Sequence, residues 1–476
     1  MPPYDVPPFA GVHRRSSPTI SRVRAGIGVL VVWAAATFAP PLAAQVDELR
    51  IPPLAVDTFS LANGLRVIVS EDHSTPVVAV EMWYHVGSAH EPEGRSGFAH
   101  LFEHLVFEDT EGMAEGEFKR LVSRAGGTFN GTTDSDRTAF GEVLPSHRVN
   151  LALWSHAERM ARLRIREDDF DTQREVVKEE IRLRVENQPY AGSQLSVDTV
   201  ALRDFAPYRH PVIGSMDDLE AASVDDAREF YRRFYTPNNA VLTVVGDVTV
   251  AQVRGMVDEY FGELPRGPEP PAWPEAPELP RTDGERRRVE EAPLARLPLV
   301  WMAYTLPPAV HPDHPALALL SQLLGGGESS RLRRRLVDEE AAAIDVVARV
   351  DRRRGPGVFL LGAAPVEGVE AIELEALLDE EVRRLLEDGV TYDETRSALS
   401  QVLTGAVTQR MTVQSKAALL QRYALYHGTP HRVNEDLDRF GEVTPADLHR
   451  VALTWLQPEN RTVVIAQPPR AAGDAR

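Results

Sequence analysis

Cysteine is absent from all 476 residues. That excludes disulfide scaffolds, thiolate zinc sites, cysteine nucleophiles and a lipid-modified N-terminal cysteine. Any metal must be held by His, Asp or Glu. Positive charge is scarce as well: 52 Lys and Arg stand against 71 Asp and Glu, a formal net charge of −19. A protein that tracks nucleic-acid phosphates needs the reverse balance, so no nucleic-acid partner is expected. The GxSxG elbow of serine hydrolases is missing too. What remains, 43% hydrophobic and 26% charged residues, is an ordinary globular composition.

The first residues read as an address. Arg14, Arg15, Arg22 and Arg24 precede an apolar run from Ile27 to Ala39, and small residues follow at Ala43 and Ala44. The run falls short of the ~20 residues a membrane anchor needs. The layout is that of a secretory signal peptide, residues 1–44, cleaved after Ala44. Arg14-Arg15 fits twin-arginine export poorly. The expected mature protein is exported, periplasmic or secreted, acidic, and without a stable membrane anchor.

Beyond residue 50, alternating strands such as Leu65 to Val69 and Val77 to Tyr84 mix with helical patterns such as Glu115 to Ala125, which suggests α/β (α+β) layers. Seven prolines between Pro265 and Pro280 mark an extended, semi-rigid linker, 265–285, between segments 45–264 and 286–470. One pattern recurs on both sides. Ser223 and Thr444 each open a helical stretch that reaches Pro237 or Pro458, then Asn239 or Asn460, then a β-branched strand. We read this as an internal duplication with a period of about 221 residues, giving two similar domains that close on one another across the linker.

The chemistry gathers in GFAHLFEHLVFE. On a helix His100 and His104, four apart, stand one above the other and can reach one cation, with Glu103 between them placed to act on a water at that cation. The flanking Phe98, Leu101, Leu105, Val106 and Phe107 argue against a solvated surface helix. A third ligand must come from elsewhere, and the stretch Gln173 to Val185 is the candidate. Helical geometry centres its apolar face between Val176, Val177, Ile181 and Leu183, with Glu180 in the middle and Glu179 at the flank. A carboxylate there needs a partner, which is either a metal or Arg184 on the same face.

These residues carry a family resemblance. GFAHLFEHLVFE, with Glu180 76 residues after the second His, resembles the pitrilysin/insulinase-type zinc peptidases (the inverzincins), which include the mitochondrial processing peptidases. NGLRVIVSEDHSTPVVAV, GGTFNGTTDSDRTAF and FYTPNNAVLTVVGDV resemble the same family. The resemblance implies two homologous domains, each a mostly antiparallel sheet covered by helices, in a clamshell arrangement around a chamber. It implies that 45–264 is the zinc peptidase domain, with Zn2+ held by His100, His104 and Glu180, and with Glu103 as general base. It implies further that the edge strand within Gly126 to Phe140 receives peptide substrate, contacted by Asn130; the other reading of that stretch is a Gly/Asn-rich hairpin turn.

Two departures stand out. Gln173 occupies a supporting position where the family often has Glu. In GGGESSRLRRRLVDEEAAAIDVV, Val337 and Ile344 fall where the family's C-terminal half carries an Arg and a Tyr. The expectation is therefore a zinc metalloendopeptidase acting as the catalytic subunit of a heterodimer, with a homologous subunit supplying Arg and Tyr, or as a homodimer. The alternative is a noncatalytic peptide-binding or assembly subunit. His311 with His314 and His427 with His431 are expected to be solvated loop residues, and Arg331 to Arg335 a solvated helix face.

Overall fold

Runs of Val, Ile and aromatic residues lose side-chain freedom in a helix and suit a pleated sheet. Here they build two sheets. In the computed structural model, which describes residues 51–469, the first sheet contains β1 (Asp57–Ser60), β2 (Arg66–Glu71), β3 (Val77–Tyr84), β4 (Thr128–Thr133), β5 (Thr138–Pro145) and β6 (Ala240–Gly246). Their order is β1-β2-β6-β3-β5-β4. The second contains β7 (Arg286–Glu291), β8 (Leu299–Leu306), β9 (Ala343–Asp351), β10 (Gly357–Pro365) and β11 (Arg461–Gln467), in the order β7-β11-β8-β10-β9. The β2–β6 and β7–β11 pairs are parallel and the remaining pairs antiparallel. Apart from β1, each strand of the first sheet has its counterpart in the second, in the same order and sense. The duplication extends to the whole frame.

The recurring Pro and Asn now have a reason. Ser223 and Thr444 cap the helices Val224–Phe234 and Pro445–Trp455, each in a reciprocal capping box. Buried Asn239 donates its amide to the Phe234 carbonyl at 2.9 Å, and Asn460 donates to the Trp455 carbonyl at 2.7 Å. Each satisfies a helix-end carbonyl just where the chain turns into the strand.

The halves are clasped by exchanged helices. Ala191–Ala201, from the first half, lies against β7, β8 and β11, where Ser193 accepts the Trp301 indole N–H at 3.3 Å. Val413–His427, from the second half, lies against β3 and β6. Its Ala417, Leu420 and Ala424 pack on Ile68, Ala79, Val241 and Val245, and buried Gln421 donates to the carbonyls of Glu81 and Val241. The opposite face of the first sheet carries the main core, with Phe98, Leu101, Phe102, Leu105, Phe170 and Val177. Residues 265–278 form neither helix nor strand. Trp273 holds this stretch in place, packed beside His90, Phe205 and Tyr208 with the Arg354 guanidinium over its ring.

One expectation fails here. The arginine run is not uniformly solvated: Arg331 turns inward to Glu394 and Arg335 to Glu380, because the acids of the neighbouring helices lie beneath them. The signal segment 1–44 lies outside the described residues. Among the described residues no helix is long and apolar enough to cross a membrane.

Candidate metal centre

Helix Phe98–Leu105 is seated by what precedes it. Gly97 adopts the left-handed conformation (φ 86°) at a point where a Cβ would meet the Ile213 carbonyl. The buried Glu91 carboxylate accepts the N–H groups of Gly97 and Ala99 at 3.0 and 2.7 Å, satisfying the helix start. Phe98, Ala99, Leu101, Phe102 and Leu105 are buried, which turns His100, Glu103 and His104 together to the other side.

Glu180 comes from helix Glu167–Ile181, which continues into a wider turn, Arg182–Glu186. Its buried face runs through Phe170, Val177 and Ile181. The sequence reading placed that face too far round: Val176 and Leu183 are 44% and 56% exposed. Apolar character alone does not decide burial, and the core below accepts only one stripe of this helix. Glu180 and Gln173 sit at the flank of the stripe, Glu180 facing the histidines and Gln173 facing Glu108. Glu180 Oε2 lies 3.7 Å from His100 Nε2 and 3.4 Å from His104 Nε2. Oε1 is 2.8 Å from the Arg184 guanidinium. One oxygen thus faces the two imidazoles and the other is taken by Arg184.

Glu103 faces the sheet edge. Its Oε2 accepts the Thr133 hydroxyl at 2.6 Å. Two residues earlier on β4, a Cβ at Gly131 would lie 2.9 Å from the Glu103 side chain and 2.8 Å from Phe107; only glycine permits this approach. β4 pairs with β5 on one side and is the free edge of its sheet, so Asn130 lies on the strand arm of a hairpin whose turn comes later, at residues 134–137. Asn130 is exposed on it, paired with Gly141, and the pleat turns its side chain to the face opposite Gly131 and Thr133.

The electrostatics follow from burial and from the shared carboxylate. Burial pushes His100 down to about 4. Burial acts on His104 in the same direction, but Glu180 outweighs it and the net shift is upward. Glu180 is raised by burial and pulled further down by His104, His100 and Arg184, so it stays ionised. Glu103 is pushed up by burial, against the Thr133 hydrogen bond and His104. A carboxylate so raised is a stronger base.

Among the described residues one cluster can hold a metal, His100, His104 and Glu180, with donor atoms all within 4.8 Å of one another. Bonds of about 2.0–2.2 Å separate the ligands of a tetrahedral zinc by roughly 3.3–3.6 Å, so separations of 3.4 and 3.7 Å suit one cation. The N, N, O donor set suits zinc as well. The residues fit.

Residues 66–204 match the family described as Insulinase (Peptidase family M16), and residues 221–402 match its companion, the Peptidase M16 inactive domain. A protein named zinc protease PqqE from Helicobacter pylori is 30% identical over 87% of this chain and 93% of its own length. This chain belongs to peptidase family M16. The crystal structure of a protease from Helicobacter pylori superposes with a TM-score of 0.81 at 29% identity, over 87% of this chain and all of that one. A protein named probable mitochondrial-processing peptidase subunit beta, from Arabidopsis thaliana, is 25% identical, over 80% of this chain and 70% of its length. In fold alone, the periplasmic protease PqqL of Escherichia coli is similar (TM-score 0.72, 19% identity), and this M16 chain spans 48% of it. Zinc is the cofactor by which the relatives of this M16 chain are named.

The other candidates stay apart from the site. His314 is buried rather than solvated, because it opens helix His314–Gly325 beneath the carbonyls of Pro307 and Pro308, which its Nε2 meets at 3.1 and 3.0 Å. His427 ends a helix and stacks on Tyr423. Val337 is half-buried, and Ile344, on the free edge strand β9, is 45% exposed. Sequence reasoning missed Thr133, and it missed Glu108, whose carboxylate accepts the Gln173 amide N–H at 3.0 Å. No spacing rule links either to the motif, although both lie within segments already singled out.

Proposed function

We propose that this chain is a zinc-dependent endopeptidase whose centre is His100, His104 and Glu180, with Glu103 as general base. The observation that carries the reading is the Thr133–Glu103 hydrogen bond: it joins the base, the metal-binding residues and an open strand edge in one place. An extended peptide adds to β4 as a further strand through main-chain hydrogen bonds, and the exposed Asn130 amide contacts its backbone. Zinc in this centre supplies Lewis-acid activation of water and of the scissile carbonyl. Glu103 takes the proton of the attacking water and returns it to the leaving amine. Thr133 and Gly131 keep the carboxylate aimed, and Arg184 holds the second oxygen of Glu180.

Val337 and Ile344 support a division of labour in which this chain supplies the zinc half and a homologous subunit supplies the missing Arg and Tyr. The basic-apolar leader supports export to the periplasm or medium. The second reading, a noncatalytic peptide-binding subunit, draws on the match of residues 221–402 to a domain described as inactive and on Gln173.

Metal analysis and a quenched-fluorescent peptide assay separate the two. As a peptidase subunit, the protein binds zinc through the two histidines and cleaves slowly alone and faster with its partner, and Glu103→Gln keeps zinc while losing turnover. Zinc binding with no turnover under either condition favours the second reading. Full activity as an isolated monomer rejects the division of labour.

A further inference from the structure

Asp136 is buried in the turn that joins β4 to β5, three residues after Thr133. The turn braces itself, since Asp134 Oδ1 accepts the N–H groups of Asp136 and Arg137 at 2.8 and 2.9 Å. The Asp136 carboxylate is engaged from outside the hairpin. Its Oδ1 accepts the hydroxyl of buried Tyr208, and its Oδ2 accepts the Arg354 N–H at 2.8 Å. The Tyr208 oxygen in turn accepts the Gly355 N–H at 2.9 Å. Arg354 and Gly355 lie at the tip between β9 and β10, in the second half. Two consecutive main-chain donors of the second half are thus held by two side chains of the first. The approach is close: a Cβ at Gly355 would lie 2.8 Å from the Phe205 ring and 3.0 Å from that of Tyr208. Arg353 steadies the tip by pairing with Asp198 and Asp351, its guanidinium 5.2 Å from the Tyr208 ring.

The same turn reaches the candidate metal centre by two routes. Thr133, at the end of β4, holds Glu103. The Asp134 and Ser135 carbonyls accept the N–H groups of Ser88 and Ala89 at 3.1 and 2.9 Å. Shortly after these, Glu91 caps the helix that carries His100 and His104. We propose that Asp136 and Tyr208 are positioning residues, through which the second half holds the end of β4, and with it Glu103, in place. The assignment rests on β4 being the edge that receives peptide and on Glu103 being the base. An edge strand is paired on one side only, and its end is where it frays first; the β9–β10 tip supplies the restraint at that end. The second half then takes part in turnover without placing a side chain at the centre.

The test compares Tyr208→Phe and Asp136→Asn with Lys416→Met. The last removes the Asp72–Lys416 pair, which joins the halves at the end of β2, across the sheet from β4. Amide hydrogen exchange is followed by mass spectrometry under native conditions, together with zinc content and hydrolysis of a quenched-fluorescent peptide by the isolated chain. In Tyr208→Phe and Asp136→Asn, the β4 amides paired with β5 should exchange about tenfold faster or more, while β2 and β6 keep their wild-type rates. Zinc content should not change, and kcat/KM should fall by about 5- to 100-fold. Lys416→Met should leave β4 exchange and kcat/KM at wild-type values, whatever it does to overall stability. Wild-type β4 exchange in both Tyr208→Phe and Asp136→Asn overturns the inference. Faster exchange spread evenly over the sheet overturns it too, as does faster β4 exchange with unchanged kcat/KM. A wild type that cleaves no peptide sinks the proposed function instead, and β4 exchange then decides by itself whether the second half holds the edge.

Discussion

Thr133 gives the sharpest test of how the proposed base, Glu103, is held. Its hydroxyl donates to Glu103 Oε2 at 2.6 Å, a short, charge-assisted bond inside a largely buried pocket. Thr133→Val keeps the shape and the β-branched strand residue and removes only this donor. A hydrogen bond to a charged group contributes about 1.5–3 kcal/mol. If the bond is fully expressed in the aim and ionisation of Glu103, kcat/KM should fall by about 10- to 150-fold. The pH profile gives a second, independent sign. Burial raises Glu103 and the Thr133 bond opposes it, so removing the bond raises Glu103 further. Activity needs the ionised carboxylate, and the acid limb of kcat/KM should therefore move to higher pH. The assay is peptide hydrolysis across the acid range with zinc content checked in parallel. Unchanged kcat/KM and an unmoved acid limb at full zinc occupancy would refute the argument that the sheet edge positions the base.

Two further outcomes follow from the same structure. Gly131→Ala places a methyl 2.9 Å from the Glu103 side chain; it should reduce turnover at least tenfold, the rate equivalent of about 1.4 kcal/mol, while zinc content stays at the wild-type level. Asp72 from the first half pairs with Lys416 from the second, which holds its carboxyl down at about 2. A depressed acid contributes stability above its ordinary range and loses it as pH falls, so denaturant midpoints should decline between about pH 4 and pH 2, and Lys416→Met should flatten that part of the decline.

Much of the centre was legible because its determinants are local. Two histidines four apart share a helix face whatever surrounds them, and the apolar residues between them say which way the face turns. The prolines of 265–285 forbid regular structure in the same local sense, and the capped helix that runs into Pro237 and Asn239 repeats at Pro458 and Asn460. The reading failed where a partner distant in sequence decides. Val176 and Leu183 look like core residues but are exposed, since the core accepts Phe170, Val177 and Ile181 instead. Arg331 and Arg335 look like surface charges but meet Glu394 and Glu380. His314 looks like a loop residue but is enclosed by two proline carbonyls.

The sequence by itself singled out the residues that can hold a metal. With no cysteine, a metal had to be held by His and carboxylate, and the only closely spaced helical pair with an intervening acid was His100, Glu103 and His104. It also determined that the frame is doubled, since the helix-turn-strand signature appears twice. Tertiary structure decided what those residues touch: Glu180 divided between two imidazoles and Arg184, Glu103 tied to the sheet edge through Thr133, and Gln173 turned by Glu108. It also decided that each half lends a helix to the other's sheet. The physical reason is range. Helix periodicity and caps act over one or two turns, whereas a hydrogen bond between residues 30 or 65 apart exists only once the chain has closed around its core.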